Sequence, residues 1–287
     1  MNYSYISLLT NNEFMPAMVA MLSSYNKVKT SYPITVMVLP EVSINNREIL
    51  KHLGANVLSI SQLHPTLFTT EFKGIEEPEG RSYHTCMCKL HIFRLTQFDK
   101  LIYVDSDMIF VQNIDELFQC DCLSAVVDPG YRGIINQFNA GLMVVKPNLQ
   151  TYDDLIKIME SYNHKNNWVT AMGSTTSKLD DQQILYEYFH NWNEAVHLHL
   201  DKNYNIMLSH YDWYKSTLLY NHHNIKILHM TCPLRPWKTS SLAEYFSILP
   251  IPSLSVYIWW TMLINDTIIK LEQDGFMSNE LRLIEWQ

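Results

Sequence analysis

Cysteine is scarce in this chain, and the few copies do not suit a covalent framework. The 287 residues contain five cysteines. An odd and sparse set fits a reducing compartment better than a set of disulfides, so the cytoplasm is the expected location. Cys86 and Cys88 are spaced as C-x-C, as are Cys120 and Cys122. This is not the C-x₂-C spacing of common structural zinc sites, and we interpret these residues as small apolar side chains.

Positive charge is also in deficit. Lys and Arg number 21 against 29 Asp and Glu, which gives a formal net charge of −8. No surplus of cations is left to neutralise a phosphate backbone, so nucleic acid is not expected as a partner. A ligand the size of one nucleotide is compatible with this charge.

The sequence lacks the long uninterrupted apolar run of a membrane span. Its start, MNYSYISLLT, has no basic flank and meets a polar Asn-Asn-Glu segment, so a signal peptide is not expected. The most apolar late stretch, 248–264, is interrupted by two prolines and predicts a buried or partner-facing helix, not a transmembrane segment. Trp259 and Trp260 in this stretch leave a homodimer contact open as an alternative to plain core.

Short apolar runs rich in β-branched residues alternate with amphipathic stretches, a pattern typical of a parallel sheet covered by helices. The predicted strands are Tyr5–Leu9, Ile34–Leu39, Asn56–Ile60, Leu101–Val104, Ser124–Val127, Leu142–Val145, Val196–Leu200 and Ile225–Leu228. The predicted helices are Phe14–Ser24, Arg47–Leu53 and Cys86–Leu95, and 61–82 is predicted to be a long connection. With no repeat or flexible linker, we expect a main domain over 1–238 and a C-terminal helical extension over 239–287 packed on it.

Two carboxylates stand at the end of the strand Leu101–Val104. Asp105 and Asp107 are separated by one residue, so on an extended backbone both side chains point to the same side and are able to share a divalent cation. D-x-D is frequent by chance, and alone it is a weak signal. Its place after four apolar residues strengthens the metal interpretation, because such acids are costly to desolvate without a cation or donors.

Six segments together resemble a known family, the retaining glycosyltransferases that include glycogenin, galactinol synthase and bacterial lipopolysaccharide galactosyltransferases. They keep the family's order and spacing from about residue 5 to residue 238. The segments are ISLLTNNEF from Ile6, CKLHIF around Lys89, LIYVDSDMIFVQNIDELF around the two aspartates, Phe138-Asn139-Ala140-Gly141-Leu142, LDDQQIL around Asp181-Gln182, and His229-Met230-Thr231-Cys232-Pro233-Leu234-Arg235-Pro236-Trp237.

The resemblance implies a Rossmann-like α/β fold of the GT-A type, with a mixed, mainly parallel sheet flanked by helices. It implies transfer of a hexose, glucose or galactose, from a UDP-sugar to a hydroxyl acceptor, with retained anomeric configuration and with Mn²⁺ or Mg²⁺ as cofactor. Carried over position by position, it implies metal ligands Asp105, Asp107 and His229, and catalytic residues Asp181 and Gln182. The implied donor-binding residues are Leu8, Thr10, Asn11, Phe14, Lys89, Asp105, Ser106, Asn139 and Arg235.

These residue types suit that chemistry in their own right. Two carboxylates and one imidazole are ligands for manganese or another borderline divalent ion. Lys89 and Arg235 carry the positive charge that a departing diphosphate requires. Asn139, Asp181 and Gln182 offer acceptors for sugar hydroxyls and for a developing oxocarbenium centre.

The chain also departs from the family pattern. Cys232 stands where glycine is usual, Arg235 where lysine is usual, and Lys178 where glycogenin has an acidic residue. The loop near the pyrophosphate and the acceptor side are therefore expected to differ. Tyr211 and Tyr214 lie near the position of a self-glucosylated tyrosine, although Asp212 aligns best with it. The acceptor is thus left open among a protein tyrosine, a polyol and a glycan.

Several of the candidate site residues also have a simpler, non-functional interpretation. Lys89 alone is more often a solvated charge, Asn139 a turn residue, and His229 a satisfied edge histidine. The simpler interpretation of Asp180 and Asp181 is an acid cluster favoured by a helix N-terminus. Two other functions are weighed: a haloacid-dehalogenase-like phosphatase, in which D-x-D is nucleophile and acid/base, and a non-catalytic nucleotide-sugar-binding protein.

Overall fold

A computed structural model of the protein describes most of the chain. The described residues are 1–63, 83–129, 137–162, 168–169, 175–176, 181–210, 213–214, 216–217, 221–231, 236–238 and 251–282. Most of the predicted connection 61–82 lies outside this set, as does the expected boundary between 238 and 239. Lys178, Tyr211, Asp212, Cys232 and Arg235 lie outside it as well.

Up to Val104, the described residues form the βα units that the apolar pattern predicts. Strand β1 is Tyr3–Leu9, helix α1 is Met15–Lys27, β2 is Ile34–Val38, α2 is Ile44–His52 and β3 is Asn56–Ser59. Helix α3, Tyr83–Cys86, continues directly into the 3₁₀ helix Met87–Arg94, and β4 is Lys100–Val104. Ser43 begins α2 because its side chain accepts a hydrogen bond from the backbone N–H of Asn46.

The remaining strands are shorter, with one exception. They are β5 Met108–Phe110, β6 Ser124–Asp128, β7 Gln137–Val145, β8 Trp168–Val169, β9 Thr175–Thr176, β10 His199–Leu200, β11 Ile206–Met207 and β12 Ile227–His229. The later helices are α4 Leu149–Tyr162, α5 Asp181–Tyr188, α6 Ile251–Gln273 and α7 Asn279–Arg282. Further 3₁₀ helices are Asn12–Phe14, Asp115–Gln119, Trp192–Glu194, Val196–Leu198, Lys202–Tyr204, Leu208–His210, His222–Asn224 and Pro236–Lys238.

The main sheet has the strand order β10-β6-β7-β4-β1-β2-β3 in the described part of the chain. Strands β3, β2, β1 and β4 run parallel, and β10 runs parallel to β6. Only β7 runs against its neighbours β4 and β6 within this sheet. The prediction of a mixed, mainly parallel sheet flanked by helices is confirmed. In such a sheet the carboxyl ends of the parallel strands form one edge, where ligands bind.

A second, small sheet supports that edge. Its order is β11-β12-β5, with β12 antiparallel to β5 and parallel to β11. Strand β5 follows β4 after only three residues, so the small sheet stands directly beside the end of the central strand.

Buried side chains on the two faces of β1 belong to separate core clusters. Tyr5 and Leu9 face the cluster that contains α1 and α6, whereas Ile6 and Leu8 face the cluster around the 3₁₀ helix Met87–Arg94. This is the alternation expected of a strand with both faces covered.

The apolar late stretch forms a helix, α6, that packs on α1. Trp260 and Leu263 are buried against the core cluster of α1, and the Thr267 and Ser23 hydroxyls are hydrogen-bonded across the contact at 2.7 Å. Trp260 is therefore core. No helix in the described ranges is long and apolar enough to span a bilayer.

Three predictions about secondary structure need correction. The predicted strand Val196–Leu200 is a 3₁₀ turn followed by the two-residue strand β10, because Val196 is exposed and offers no core face. The strand predicted at Ile225–Leu228 begins two residues later, after the turn His222–Asn224. The helix predicted at Cys86–Leu95 is mainly 3₁₀, and β5 was missed.

Candidate active site

Four elements meet at the carboxyl edge of the sheet. Asp105 follows β4 directly, and Asp128 is the last residue of β6. Because β7 runs antiparallel to β4, with Leu142 opposite Val104, the start of β7 lies at the same edge. The N-terminus of α5 brings Asp181 and Gln182 to this point. The acids and amides that the sequence spreads from residue 105 to residue 182 thus become neighbours.

Asp105, Asp107 and His229 form a cluster suited to a metal ion. One ligand atom from each residue lies within 4.8 Å of the others. His229 Nε2 is 3.2 Å from Asp107 Oδ1 and 4.0 Å from Asp105 Oδ2. Pairing of β12 with β5 delivers the histidine, since His229 is opposite Met108, and the Met230 N–H donates to the Asp107 carbonyl at 2.9 Å.

The donor set fits a borderline divalent cation. The facing atoms are two carboxylate oxygens and an imidazole nitrogen, with Nε2 buried beside Asp107. An imidazole lone pair and a carboxylate oxygen at this separation repel each other unless a proton or a cation lies between them. Oxygen and imidazole ligands together suit manganese and its neighbours better than purely hard or purely thiophilic ions.

Lys89 lies beneath the cluster and is buried, with 6% of its surface exposed. Its Nζ is 2.6 Å from Asp181 Oδ2 and 3.1 Å from Asp105 Oδ1, and it donates to the Ala140 carbonyl at 3.2 Å. The ammonium also lies 4.9 Å from the centre of the Tyr103 ring. Three acceptors match the three N–H groups of an ammonium. Lys89 is therefore not a solvated surface charge.

Opposing effects act on the pKa of Lys89. Burial lowers it, but the negative charges of Asp105 and then Asp181 outweigh burial and raise the pKa above its ordinary value. The lysine stays charged at neutral pH. The Tyr103 hydroxyl donates to Asp105 Oδ1 at 2.7 Å, and burial followed by the charge of Asp105 raises the pKa of that phenol. Asp105 Oδ1 thus faces Lys89 and Tyr103, whereas Oδ2 faces His229 at 4.0 Å.

A second hydrogen-bonded group surrounds Asn139 in β7. Asn139 Nδ2 and Gln182 Nε2 both donate to Asp128 Oδ2 at 3.2 Å. Gln182 Oε1 accepts from the Ala140 N–H at 2.9 Å, and Asn139 Oδ1 accepts from the Gly141 N–H at 3.0 Å. Asn139 lies within the strand, so the turn interpretation of this residue is wrong.

The other predicted donor-binding residues line the neighbouring strand end. Strand β1 pairs with β4, with Ile6 opposite Tyr103. Leu8 is buried in β1, while Thr10 and Asn11 follow its end, and Asn11 caps the turn that leads to Phe14. Phe14 contacts Trp237, which joins this loop to the chain beyond His229. Ser106 lies between the two aspartates, and Arg235 is outside the described residues. The binding roles themselves stay predictions.

Sequence reasoning missed three polar residues of the site: Tyr103, Asp128 and Asn205. Asp128 had a detectable signal, because it ends an apolar strand just as Asp105 does. Asn205 gave none. It is fully buried, and its side chain bonds to Asn139 and His229, which are 66 and 24 residues away.

Comparison with solved structures identifies the fold class. The galactosyltransferase LgtC, solved with donor and acceptor sugar analogues, superposes with a TM-score of 0.60 at 17% identity, covering 96% of this chain and all of that one. The glycosyltransferase GlyE of Streptococcus pneumoniae gives a TM-score of 0.52 at 18% identity, over 94% of this chain and 64% of that one. The fold is the GT-A fold of glycosyltransferases.

Family comparison is more specific. The model of glycosyl transferase family 8 matches residues 5–241. Rabbit (Oryctolagus cuniculus) glycogenin-1 is 25% identical over 96% of this chain and 80% of its own length. Galactinol synthase 5 of Arabidopsis thaliana is 24% identical over 98% of this chain and 86% of its own length. The chain belongs to glycosyl transferase family 8, and it is a glycosyltransferase. The resemblance found from the sequence is confirmed, and the phosphatase alternative is wrong.

Proposed function

We propose that this enzyme transfers a hexose from a UDP-sugar to a hydroxyl acceptor with retention of anomeric configuration, using a divalent metal ion, Mn²⁺ before Mg²⁺. One observation carries the proposal. The Asp105–Asp107–His229 cluster lies at the carboxyl edge of the sheet, and Lys89 joins it to Asp181, the neighbour of Gln182. A cation site and a sugar-sized set of acceptors are thereby adjacent.

Asp105, Asp107 and His229 would hold the ion. When bound, a divalent cation supplies Lewis-acid charge that stabilises a diphosphate leaving group. The charges of the side chains at the site favour the binding of this cation. Among the described residues, Lys89 is the one cation paired with Asp105 and Asp181, so the three acids of the site attract a further divalent charge and disfavour a free diphosphate.

Retention is supported by what surrounds Gln182. Its amide oxygen accepts from the Ala140 N–H and its amide nitrogen donates to Asp128, so the side chain is fixed in place. An amide is too weak a base to activate an acceptor hydroxyl by itself. Asp181 is paired with Lys89, with 2.6 Å between its Oδ2 and the ammonium nitrogen. We infer that Asp181 and Gln182 orient the donor sugar and stabilise its developing positive charge.

The donor sugar is UDP-glucose or UDP-galactose, and we place glucose first. The two differ at one hydroxyl, which closely similar pockets accommodate. The acceptor class is a glycan, a polyol or a protein tyrosine. Among the described tyrosines, Tyr214 is fully buried, which makes it a poor substrate for self-glycosylation in this conformation.

A transfer assay tests the proposal. We expect the pure protein to release UDP from UDP-glucose or UDP-galactose with Mn²⁺ and to lose this activity with a chelator. With an α-linked donor, NMR of the first-formed product should show an α linkage. A β-linked product would reject retention. Metal-dependent binding of UDP-sugar without turnover, over glycan, polyol and protein acceptors, would instead support a non-catalytic binding protein.

The metal role of His229 has its own test. We expect His229→Ala to weaken Mn²⁺-dependent UDP binding by roughly ten-fold or more, the scale for losing a supporting group at a metal site. Isothermal titration with UDP, with and without Mn²⁺, measures this effect. His222→Ala is the matched control, since that histidine is exposed and seven residues earlier. Unchanged UDP affinity and metal dependence in His229→Ala would show that His229 is not a ligand.

A further inference from the structure

Asn205 has no part in the chemistry described so far, yet its side chain is completely buried at the site. It ends the 3₁₀ helix Lys202–Tyr204 and precedes β11, which pairs with β12 so that Met207 is opposite His229. The carboxamide lies between the His229 ring and the Asn139 side chain, at 3.1 Å and 2.8 Å.

The positions of the amide oxygen and nitrogen atoms of Asn139 and Asn205 follow from neighbours that can only donate or only accept hydrogen bonds. The Asn139 amide faces the backbone N–H of Gly141 on one side and the Asp128 carboxylate on the other. A backbone N–H only donates and a carboxylate only accepts, so the oxygen of Asn139 faces Gly141 and its nitrogen faces Asp128.

The orientation propagates to the histidine. Asn205 Nδ2 must donate to Asn139 Oδ1, since that atom is an oxygen. Asn205 Oδ1 is then the atom that faces His229 Nδ1, and it accepts a hydrogen bond from the N–H of that nitrogen. A neutral His229 ring therefore carries its proton on Nδ1 and presents the lone pair of Nε2 to the two aspartates.

We infer that Asn205 is a positioning residue that fixes the tautomer and orientation of His229 for metal binding and ties that histidine to Asn139 on the sugar side. The inference rests on the proposed metal role of His229. Asn205 acts twice: its oxygen holds Nδ1–H, and its N–H₂ group holds the oxygen of Asn139. Outer hydrogen-bond partners of this kind contribute to metal affinity by orienting the ligand.

Two variants separate the two functions. Asn205→Asp keeps an oxygen acceptor for Nδ1–H but has no N–H to donate to Asn139. Asn205→Leu, of similar size, removes both contacts. Asn113→Leu is the control, because the Asn113 amide also anchors a local network, with the Lys29 carbonyl and Asp115, and none of its hydrogen bonds is to Asp105, Asp107 or His229.

The first measurement needs no metal and no activity. In ¹⁵N-histidine NMR spectra of the metal-free protein at neutral pH, we expect wild type and Asn205→Asp to show His229 protonated on Nδ1, both in the neutral ring and in an imidazolium whose Nε2–H faces Asp107. Asn205→Leu should shift the His229 signals away from those of wild type. A wild-type His229 whose single proton is on Nε2, or signals unchanged in Asn205→Leu, would overturn the inference.

The second measurement is Mn²⁺ affinity in the presence of UDP, followed by electron paramagnetic resonance of the free ion. We expect Asn205→Leu to weaken it by about ten-fold, and Asn205→Asp to stay within about three-fold of wild type. The transfer rate of Asn205→Asp should still fall, since Asn139 loses a partner. Equal Mn²⁺ affinity in Asn205→Leu and wild type would contradict the inference.

These outcomes distinguish the inference from the proposed function. If wild type itself binds no Mn²⁺ with UDP, the metal role of His229 fails and the tautomer result stands alone as a structural finding. If wild type binds Mn²⁺ and Asn205→Asp loses affinity as strongly as Asn205→Leu, the acceptor role of Asn205 is wrong. Thermal unfolding of each variant, compared with Asn113→Leu, shows whether a loss merely reports unfolding.

Discussion

Replacing Lys89 with methionine is expected to lower the free energy of unfolding by about 3–5 kcal/mol and to abolish transfer. That range is typical of removing one partner from a buried ion pair, because the remaining charge is left without compensation. Here two carboxylates lose their partner at once: Asp181, at 2.6 Å, and Asp105, at 3.1 Å. Methionine has nearly the same length and fills the space, so the effect reports charge and hydrogen bonding, not a cavity.

The sign of the pH dependence follows from the raised pKa of Lys89. A raised folded-state pKa contributes stability that is complete below the unfolded-state pKa and is lost only as the pH rises through the folded value. At pH 7.5 the contribution is therefore complete. Chemical denaturation at that pH measures the difference between Lys89→Met and wild type.

Two further variants make this test specific. Lys51→Met removes an exposed ion pair with Glu48 and should cost at most about 0.5 kcal/mol. The double variant Lys89→Met with Asp181→Asn should recover part of the lost stability, because it removes one of the uncompensated charges. Lys89→Met stability equal to wild type would show that the lysine is not paired as described.

The two acids after β4 were predictable because strand ends follow directly from the apolar pattern. Val104 closes a run of four apolar residues, and parallel strands deliver their carboxyl ends to one edge. The roles of Lys89 and Asn139 came only from the family resemblance. Composition favours a solvated lysine, and local sequence favours a turn at Asn139, whereas tertiary packing buries the lysine and places Asn139 in β7.

What sequence reasoning missed depends on contacts between distant, short elements. Strands β5 and β11 have three and two residues, too few to show a hydrophobic period. They nevertheless deliver His229 and Asn205 to the site. The 3₁₀ turn at Val196–Leu198 shows the opposite error, since apolar letters there predict a strand although Val196 is exposed.

The surroundings of residue 141 explain why a glycine follows Asn139 and Ala140 in β7. A Cβ atom added to Gly141 would lie 2.6 Å from His229 Cε1, 2.7 Å from Met108 Cε and 2.8 Å from Asn139 Oδ1. The methionine end is flexible and can move. The ring and the amide cannot move freely, because Asn205 holds both of them. The close approach of the His229 and Met108 side chains to Gly141, and not a special backbone angle, excludes a side chain here.

We therefore expect Gly141→Ala to lower the transfer rate by about a hundred-fold, the scale of a displacement of about 1 Å at catalytic groups. The added methyl displaces both His229 on the metal side and Asn139 on the sugar side, so Mn²⁺-dependent UDP affinity should fall as well. Overpacking should cost about 1–3 kcal/mol of stability, and transfer is compared at equal concentrations of folded protein.

Gly54→Ala is the matched control for this variant. Gly54 has a φ of +91° and no atom within 4 Å of an added Cβ, so alanine there strains the backbone without touching the site. It should destabilise the fold while leaving the transfer rate per folded molecule unchanged. A Gly141→Ala enzyme with wild-type rate and metal affinity would mean that His229 and Asn139 have room to move, contrary to their fixation by Asn205.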